Sequence, residues 1–197
     1  MDADALIADL DGTIWDSRPW YTSLIARLSG REPREIRSLV ESMPLPTVID
    51  RLPEVSRARF QRAMADHIDS LRTYESVEAT LSELQRSSVP IAAATSLPGW
   101  LAETMLALTG LESFFHAVSH ASRPPRKPSP AVIARLLTEL GLDTAASRAL
   151  VVGDDQRDAD LATNSGCDFA WASYGYGERP HAPKYSVLRR FSDLLHI

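Results

Sequence analysis

The strongest constraint on what this chain can fold into is a set of short apolar runs, each closed by polar or small residues. Four are clear: Ala5 to Leu10, Pro90 to Thr95, Ala149 to Gly153, and Phe169 to Ser173. A weaker fifth is Ala117 to Ser119. All are of strand length and nearly continuous in hydrophobicity, as parallel strands covered on both faces should be. Helical patterns lie between them. Ser129 followed by Pro130 reads as an N-cap and first helical position, with apolar residues at Val132, Leu136, Leu137 and Leu140 and a stop at Gly141. A second helix is expected to follow Asp158 and end at Gly166. The alternation predicts an α/β fold, a Rossmann-like doubly wound parallel sheet of about five strands.

Residues 18–72 break this rhythm. They contain no good strand, but show helical spacing at Leu24, Ile25 and Leu28, at Ile36, Leu39 and Val40, and at Phe60, Met64, Ile68 and Leu71. Pro44-Leu45-Pro46 and Leu52-Pro53 are expected to interrupt the helices. The chain therefore divides into an α/β core, residues 1–17 and 73–197, and a small all-helical insertion, 18–72, after the first strand. A length of 197 residues suits one core domain with such an insertion.

The formal net charge of -5 argues against a nucleic-acid or anionic-membrane binder, whose footprint would be basic. A single cysteine, Cys167, excludes an internal disulfide and a thiolate-built metal site. The acidic start, Met1-Asp2-Ala3-Asp4, precedes only a short apolar stretch, unlike a secretory signal, and no run approaches a membrane span. The expectation is a cytoplasmic protein, either a monomer or a homodimer.

The chemistry concentrates where strands end. The first strand closes in Asp9-Leu10-Asp11-Gly12-Thr13, and side chains two apart on a strand share a side. The fourth closes in Gly153-Asp154-Asp155, with Asp158 one helical turn on. Ligand sites of open α/β sheets lie outside the carboxyl ends of the strands. A lone Asp after a strand is usually a turn former or helix cap, but number argues otherwise here. Two carboxylates about 4 Å apart repel by roughly 4 kcal/mol at an effective dielectric of about 20. Several gathered at one sheet edge need a cation, and hard oxygen donors without a His or Cys pattern point to Mg²⁺. Thr95-Ser96, ending the second strand, can offer a hydroxyl and N–H groups to an anion or simply cap the helix from Pro98. Of 21 cationic side chains only two are lysine, Lys127 and Lys184. A lysine at Arg126-Lys127-Pro128-Ser129-Pro130, before a helix, suggests a need for a compact point charge.

Together these residues resemble the haloacid dehalogenase superfamily of phosphohydrolases. Asp9-Leu10-Asp11-Gly12-Thr13-Ile14-Trp15-Asp16-Ser17 is similar to its first motif, DxDGTxxDS, and Thr95 to its second. Lys127-Pro128-Ser129-Pro130 is similar to the third, and Gly153-Asp154-Asp155-Gln156-Arg157-Asp158 to the fourth, GDxxxD, all in the family's order. The resemblance implies Asp9 as nucleophile and Asp11 as the acid that protonates the leaving group and then activates water. It implies Mg²⁺ held by the Asp9 carboxylate, the Asp11 backbone carbonyl and Asp154, and phosphoryl oxygens held by Thr95 and Lys127. A small phosphorylated substrate would meet Leu10, Gly12, Thr95, Ser96 and Lys127, with Asp155 and Asp158 acting from behind and Asp158 orienting Lys127. The insertion stands where the family carries its type-one cap, with Met43-Pro44-Leu45-Pro46 similar to the specificity loop. Trp15, Arg18, Trp20 and Tyr21 either line the mouth of the site or pack the cap. Tyr174-Gly175-Tyr176-Gly177, as in phosphoglycolate-phosphatase-like members, should border the site. Asp155, where Ser or Ala is common, and Arg157 depart from the usual fourth motif; Asp155 either contacts metal or water or caps the helix.

The expected activity is Mg²⁺-dependent hydrolysis of a small phosphorylated metabolite through an aspartyl-phosphate on Asp9. General chemistry agrees: an ionised carboxylate approaching a phosphate dianion needs neutralising charge, which Mg²⁺ and Lys127 supply, and Asp11 beside other carboxylates can hold a proton. Gly12 lets the chain turn sharply past the bound group. A dehalogenase or phosphonatase would lack Asp11, and the latter needs a cap lysine where none precedes Lys127. A sugar-phosphate phosphomutase keeps Asp11 and is the main alternative. A receiver-like phospho-switch would carry its acceptor on a later strand, and a non-catalytic phosphate-binding scaffold would not need every position filled.

Overall fold

The first strand, β1 (Ala5–Ala8), is wholly buried, and its position in the sheet follows from that. The structure, a computed structural model, describes residues 3–197; Met1 and Asp2, at the start of the expected core segment, lie outside the described residues. After β1 come four helices, α1 (Arg18–Ser29), α2 (Pro33–Ser42), α3 (Leu45–Asp50) and α4 (Arg57–His67). The chain then alternates: α5 (Val77–Arg86), β2 (Ile91–Ala94), α6 (Gly99–Leu108), β3 (Ala117–Ser119), α7 (Ala131–Glu139) and β4 (Ala149–Gly153). It ends with α8 (Gln156–Ser165), β5 (Asp168–Ala172), β6 (Ser186–Leu188) and a 3₁₀ segment, Phe191–His196.

Six strands among the described residues form one parallel sheet in the order β3-β2-β1-β4-β5-β6. On β1, Ile7 aligns with Ala92 of β2 and Val151 of β4. The chain moves outward from β1 through β2 to β3, then returns to the other side of β1 to lay down β4. That reversal makes the gap between β1 and β4 a topological switch point, where a crevice opens at the carboxyl edge of the sheet. Ala5, Ile7, Ala92, Ala94, Ala149 and Val151 face one layer, packed with Val132, Ile133, Leu136 and Leu137 of α7 and Ala159, Leu161 and Ala162 of α8. Their alternates Leu6, Ala8, Ile91, Ala93, Leu150 and Val152 are equally buried, so both faces are covered. This is why the strands read as unbroken apolar runs.

The sixth strand goes beyond the five that the apolar runs predict. β6 is three residues long at the sheet edge, and Val187 is half exposed, so no apolar run marks it. Strand β1 also stops at Ala8, short of the expected Leu10. The Leu10 carbonyl accepts from the N–H groups of Thr13, Ile14 and Trp15, so a tight turn, not strand alternation, positions Asp11. Helix α7 begins at Ala131 with Pro130 at its cap and no side-chain cap from Ser129. Ser129 is held in a turn between two prolines, its N–H on the Arg126 carbonyl, while Gly141 ends the helix in the left-handed region as expected. Helix α8 begins before Asp158, not after it, because Asp155 caps it.

Tertiary contacts divide the chain into two compact units, Asp16–Arg72 and the remainder. Within the helical unit Trp20 and Tyr21 are buried; Trp20 packs against Tyr21 and edge-on to Phe60, and its Nε1 donates to the His67 carbonyl. These aromatics, like the fully buried Trp15 in the other unit, are packing residues. Pro44-Leu45-Pro46 interrupts the helical stretch as expected, between α2 and α3, and it also starts α3, where prolines in the first turn have no intrahelical N–H to lose. Among the described residues no helix is long and apolar enough to cross a membrane. Leu136 is fully buried between α7 and the sheet. Leu136→Ala is expected to cost about 2–5 kcal/mol, read as a lowered midpoint in urea unfolding at unchanged slope.

Candidate active site

The carboxyl edge of the sheet gathers acidic side chains at the switch point. Asp9 follows β1 directly, and its N–H donates to the Val152 carbonyl of β4 at 2.8 Å, which locks it beside that strand. Asp154 follows β4, and Asp158 stands in the first turn of α8. All three are buried, and each offers a carboxylate oxygen within 4.8 Å of the others. Such a set of buried hard oxygen donors suits a divalent cation. The Asp11 carboxylate is not one of the three; the sequence expectation for Asp11 concerned its backbone carbonyl.

Lys127 enters this cluster from the loop before α7. Its Nζ donates to Asp9 Oδ1 and to Asp158 Oδ1, both at 2.6 Å, and its side chain is almost fully buried. Burial works against the ammonium, but Asp158 and Asp9 outweigh it and hold Lys127 charged, above the ordinary lysine range. For the carboxyls the balance falls the other way. Burial pushes Asp9 up to about 7 despite Lys127, with Asp154 adding to the rise. Asp158 is raised to about 7 for the same reason, burial against Lys127, with Asp9 adding. Asp154 rises to about 6, from burial and then the Asp158 charge, while the N–H groups of Tyr176 and Gly177 oppose it. One ammonium does not offset three buried carboxylates, which is the electrostatic reason for a further cation.

Backbone groups complete the cradle. Tyr176 and Gly177 donate their N–H groups to Asp154 Oδ2 at 2.7 and 3.0 Å. The Trp171 indole donates to the Asp154 carbonyl at 3.0 Å, and the Tyr174 hydroxyl donates to the Thr13 carbonyl at 3.0 Å. Close approach demands glycine at two of these positions. A Cβ on Gly12, where φ is +92°, would stand 2.5 Å from Asp154 Oδ2, and one on Gly175 would stand 2.3 Å from the Gly12 carbonyl oxygen. Tyr174-Gly175-Tyr176-Gly177 thus borders the site through its backbone. The role of Trp171 had no signal in the sequence, since an indole in an apolar strand reads as core.

The remaining expected residues are placed as follows. Thr95 is buried at the carboxyl end of β2, its Oγ1 accepting from the Leu97 N–H at 3.1 Å, and Ser96 is exposed beside it. The Leu10 side chain is fully buried and its carbonyl serves the turn, so only its backbone N–H could meet a ligand. Asp155 caps α8: its Oδ1 accepts from the N–H groups of Arg157 and Asp158, and Asp158 Oδ2 accepts from the Asp155 N–H in return. Its Oδ2 takes the Arg157 guanidinium.

The raised carboxyls carry a pH dependence. Each binds its proton more tightly folded than unfolded, so the metal-free fold gains stability below the ordinary carboxyl value near 3.8 and loses it as pH rises through about 6 and 7. A cation needs the same groups ionised, so its binding strengthens over that range. The gap in melting temperature between protein with saturating divalent cation and protein in chelator should therefore widen from about pH 5 to about pH 7.5. A gap independent of pH would remove these carboxylates from the cation site.

Comparison with known proteins agrees with this geometry. Residues 6–172 match the haloacid dehalogenase-like hydrolase family. A phosphoglycolate phosphatase of Rhodobacter capsulatus is 31% identical, covering 93% of this chain and 92% of its own. A pyrophosphatase of Bacillus velezensis is 32% identical over 66% of this chain and 62% of its own. The crystal structure of a predicted phosphoglycolate phosphatase from Haemophilus somnus superposes with a TM-score of 0.73 at 22% identity, covering 100% of this chain and 98% of that one. The chain belongs to the haloacid dehalogenase-like hydrolases.

Proposed function

We propose that this protein hydrolyses a small phosphate monoester with Mg²⁺, through an aspartyl-phosphate formed on Asp9. The observation that carries the reading is Lys127, whose ammonium lies 2.6 Å from both Asp9 and Asp158 beside a third buried carboxylate, Asp154. An ion pair this dry carries a desolvation cost and is weak support for stability alone, whereas phosphoryl transfer needs an anionic nucleophile in a field of positive charge. Asp9, Asp154 and the Asp11 carbonyl would hold Mg²⁺, which when bound supplies positive charge to the phosphoryl oxygens and keeps Asp9 ionised.

An Asp9 oxygen attacks phosphorus and the bond to the leaving alkoxide breaks; Asp11 gives the departing alkoxide oxygen its proton. Asp11, now a carboxylate, takes a proton from water, whose oxygen attacks the aspartyl-phosphate and releases phosphate and the Asp9 carboxylate. Thr95, Ser96, Lys127 and the backbone N–H at Leu10 hold the phosphoryl oxygens, while Gly12, whose N–H is taken by the Trp15 carbonyl at 3.0 Å, serves by letting the turn pass close to the bound group. Asp158 keeps Lys127 aimed at Asp9, and Asp155 fixes the helix that carries Asp158. The helical segment, residues 18–72, stands at the place in the chain where this family carries its cap. Relatives of similar identity are named for phosphoglycolate and for pyrophosphate, so a small substrate with a phosphoryl group is the class supported.

A phosphate-release screen over phosphorylated metabolites, with Mg²⁺ and with chelator, tests the reading. Asp9→Asn should lower Mg²⁺-dependent release from p-nitrophenyl phosphate by at least about a thousandfold; appreciable residual turnover would remove Asp9 from the nucleophile role. Asp11→Asn should still allow covalent phosphorylation of Asp9 by a substrate with a good leaving group, yet block turnover of an alkyl phosphate. Unchanged alkyl-phosphate rates would refute the acid–base assignment.

A further inference from the structure

Arg157 breaks a local rule. It stands in the first turn of α8, where the unpaired N–H groups and the helix dipole already present positive charge, and helices favour acids there. It also neighbours Asp158, the residue that holds Lys127. Departures of this kind from local preference concentrate at functional positions.

The contacts of Arg157 say how it is held. Its Nε and Nη2 both donate to Asp155 Oδ2, at 2.9 and 2.5 Å, while Asp155 Oδ1 is engaged by the N–H groups of Arg157 and Asp158. Asp155 thus clamps one edge of the guanidinium to the helix cap. Both hydrogens of Nη1 and the outer hydrogen of Nη2 form the other edge, and no described residue accepts from it. The side chain is 57% exposed, so that edge is open to a ligand. Asp155 directly follows Asp154, so this clamp ties the guanidinium to the carboxyl edge of the sheet beside the three buried carboxylates. Burial works against its charge there, and Asp155, Asp158 and Asp9 more than offset this.

We infer that Arg157 is a specificity-determining residue whose open edge binds a second anionic group of the substrate, distinct from the phosphoryl group being hydrolysed. This rests on the phosphatase reading and adds to it a substrate class: a small phosphate ester carrying a carboxylate or a further phosphate. The planar fork suits either anion through paired N–H donors. Asp155 fixes the fork in advance, so little side-chain freedom is lost on binding. The pair also explains both departures from the usual fourth motif at once: Asp155 is acidic because it must cap α8 and grip Arg157 together.

The test compares matched substrates with Mg²⁺ present: 2-phosphoglycolate against 2-hydroxyethyl phosphate for a carboxylate, and fructose 1,6-bisphosphate against fructose 6-phosphate for a phosphate. In the wild-type protein one anion-bearing partner should be preferred in kcat/KM. Arg157→Ala should cut that preference by about tenfold or more, mainly through KM, with Arg157→Lys recovering part of it. The responding pair identifies the anion. Absence of a wild-type preference in both pairs, or a loss by Arg157→Ala that is equal for both members, would overturn the inference while leaving the phosphatase reading intact. A wild-type protein that releases no phosphate from these substrates or from p-nitrophenyl phosphate would overturn both.

Discussion

The Lys127 ammonium, bracketed by Asp9 and Asp158, is the interaction on which the rest of the site depends. It joins three elements far apart in sequence: the end of β1, the loop before α7 and the first turn of α8. Desolvating these charges is expensive, and removing one partner from such a buried pair typically costs about 3–5 kcal/mol because the other is left uncompensated. The arrangement is tolerable because burial and charge are balanced together. Lys127 stays charged because two carboxylates face it, whereas the carboxyls are driven toward neutrality because one ammonium is shared among three of them. A divalent cation would complete that balance, and its binding would then add to the stability of the fold.

The sheet makes this concentration of charge possible without dissolving the core. The strands below Asp9 and Asp154 are closed on both faces by apolar side chains, and the acids begin only where the backbone leaves the ladder. The reversal between β1 and β4 opens the crevice, and the loop after β5 lines it with backbone N–H groups in place of side chains. Gly12 and Gly175 bring two turns to within contact of Asp154 where a Cβ would not fit. The acid is therefore fixed by peptide groups, which have no rotamers to lose, and its orientation is settled before any ligand arrives.

Much of this was legible in the chain itself. Continuous apolar runs announced a buried parallel sheet because both faces of a central strand meet helices. The four motifs named Asp9, Thr95, Lys127, Asp154 and Asp158 because closely spaced acids and a rare lysine have few structural uses. Short-range competition was harder to read. Ser129 followed by Pro130 has the pattern of an N-cap and first helical position, yet flanking prolines commit Ser129 to a turn and Pro130 takes the cap; the helix expected after Asp158 begins instead behind Asp155. β6 escaped notice because a short edge strand needs little apolar surface.

The sequence by itself determined the fold class and the chemical inventory, because strand burial and catalytic charge both leave their marks in residue type and order. Only the tertiary structure decided how that inventory is shared out. It made the Lys127 charge common to Asp9 and Asp158, and assigned the Tyr176 and Gly177 N–H groups and the Trp171 indole to Asp154. It also turned Asp155 from an apparent extra acid into a cap that grips Arg157. The physical reason is that hydrogen bonds and Coulomb forces act over a few ångströms in space and carry no fixed separation along the chain, so partners drawn from distant segments appear only once the sheet has brought them to one edge.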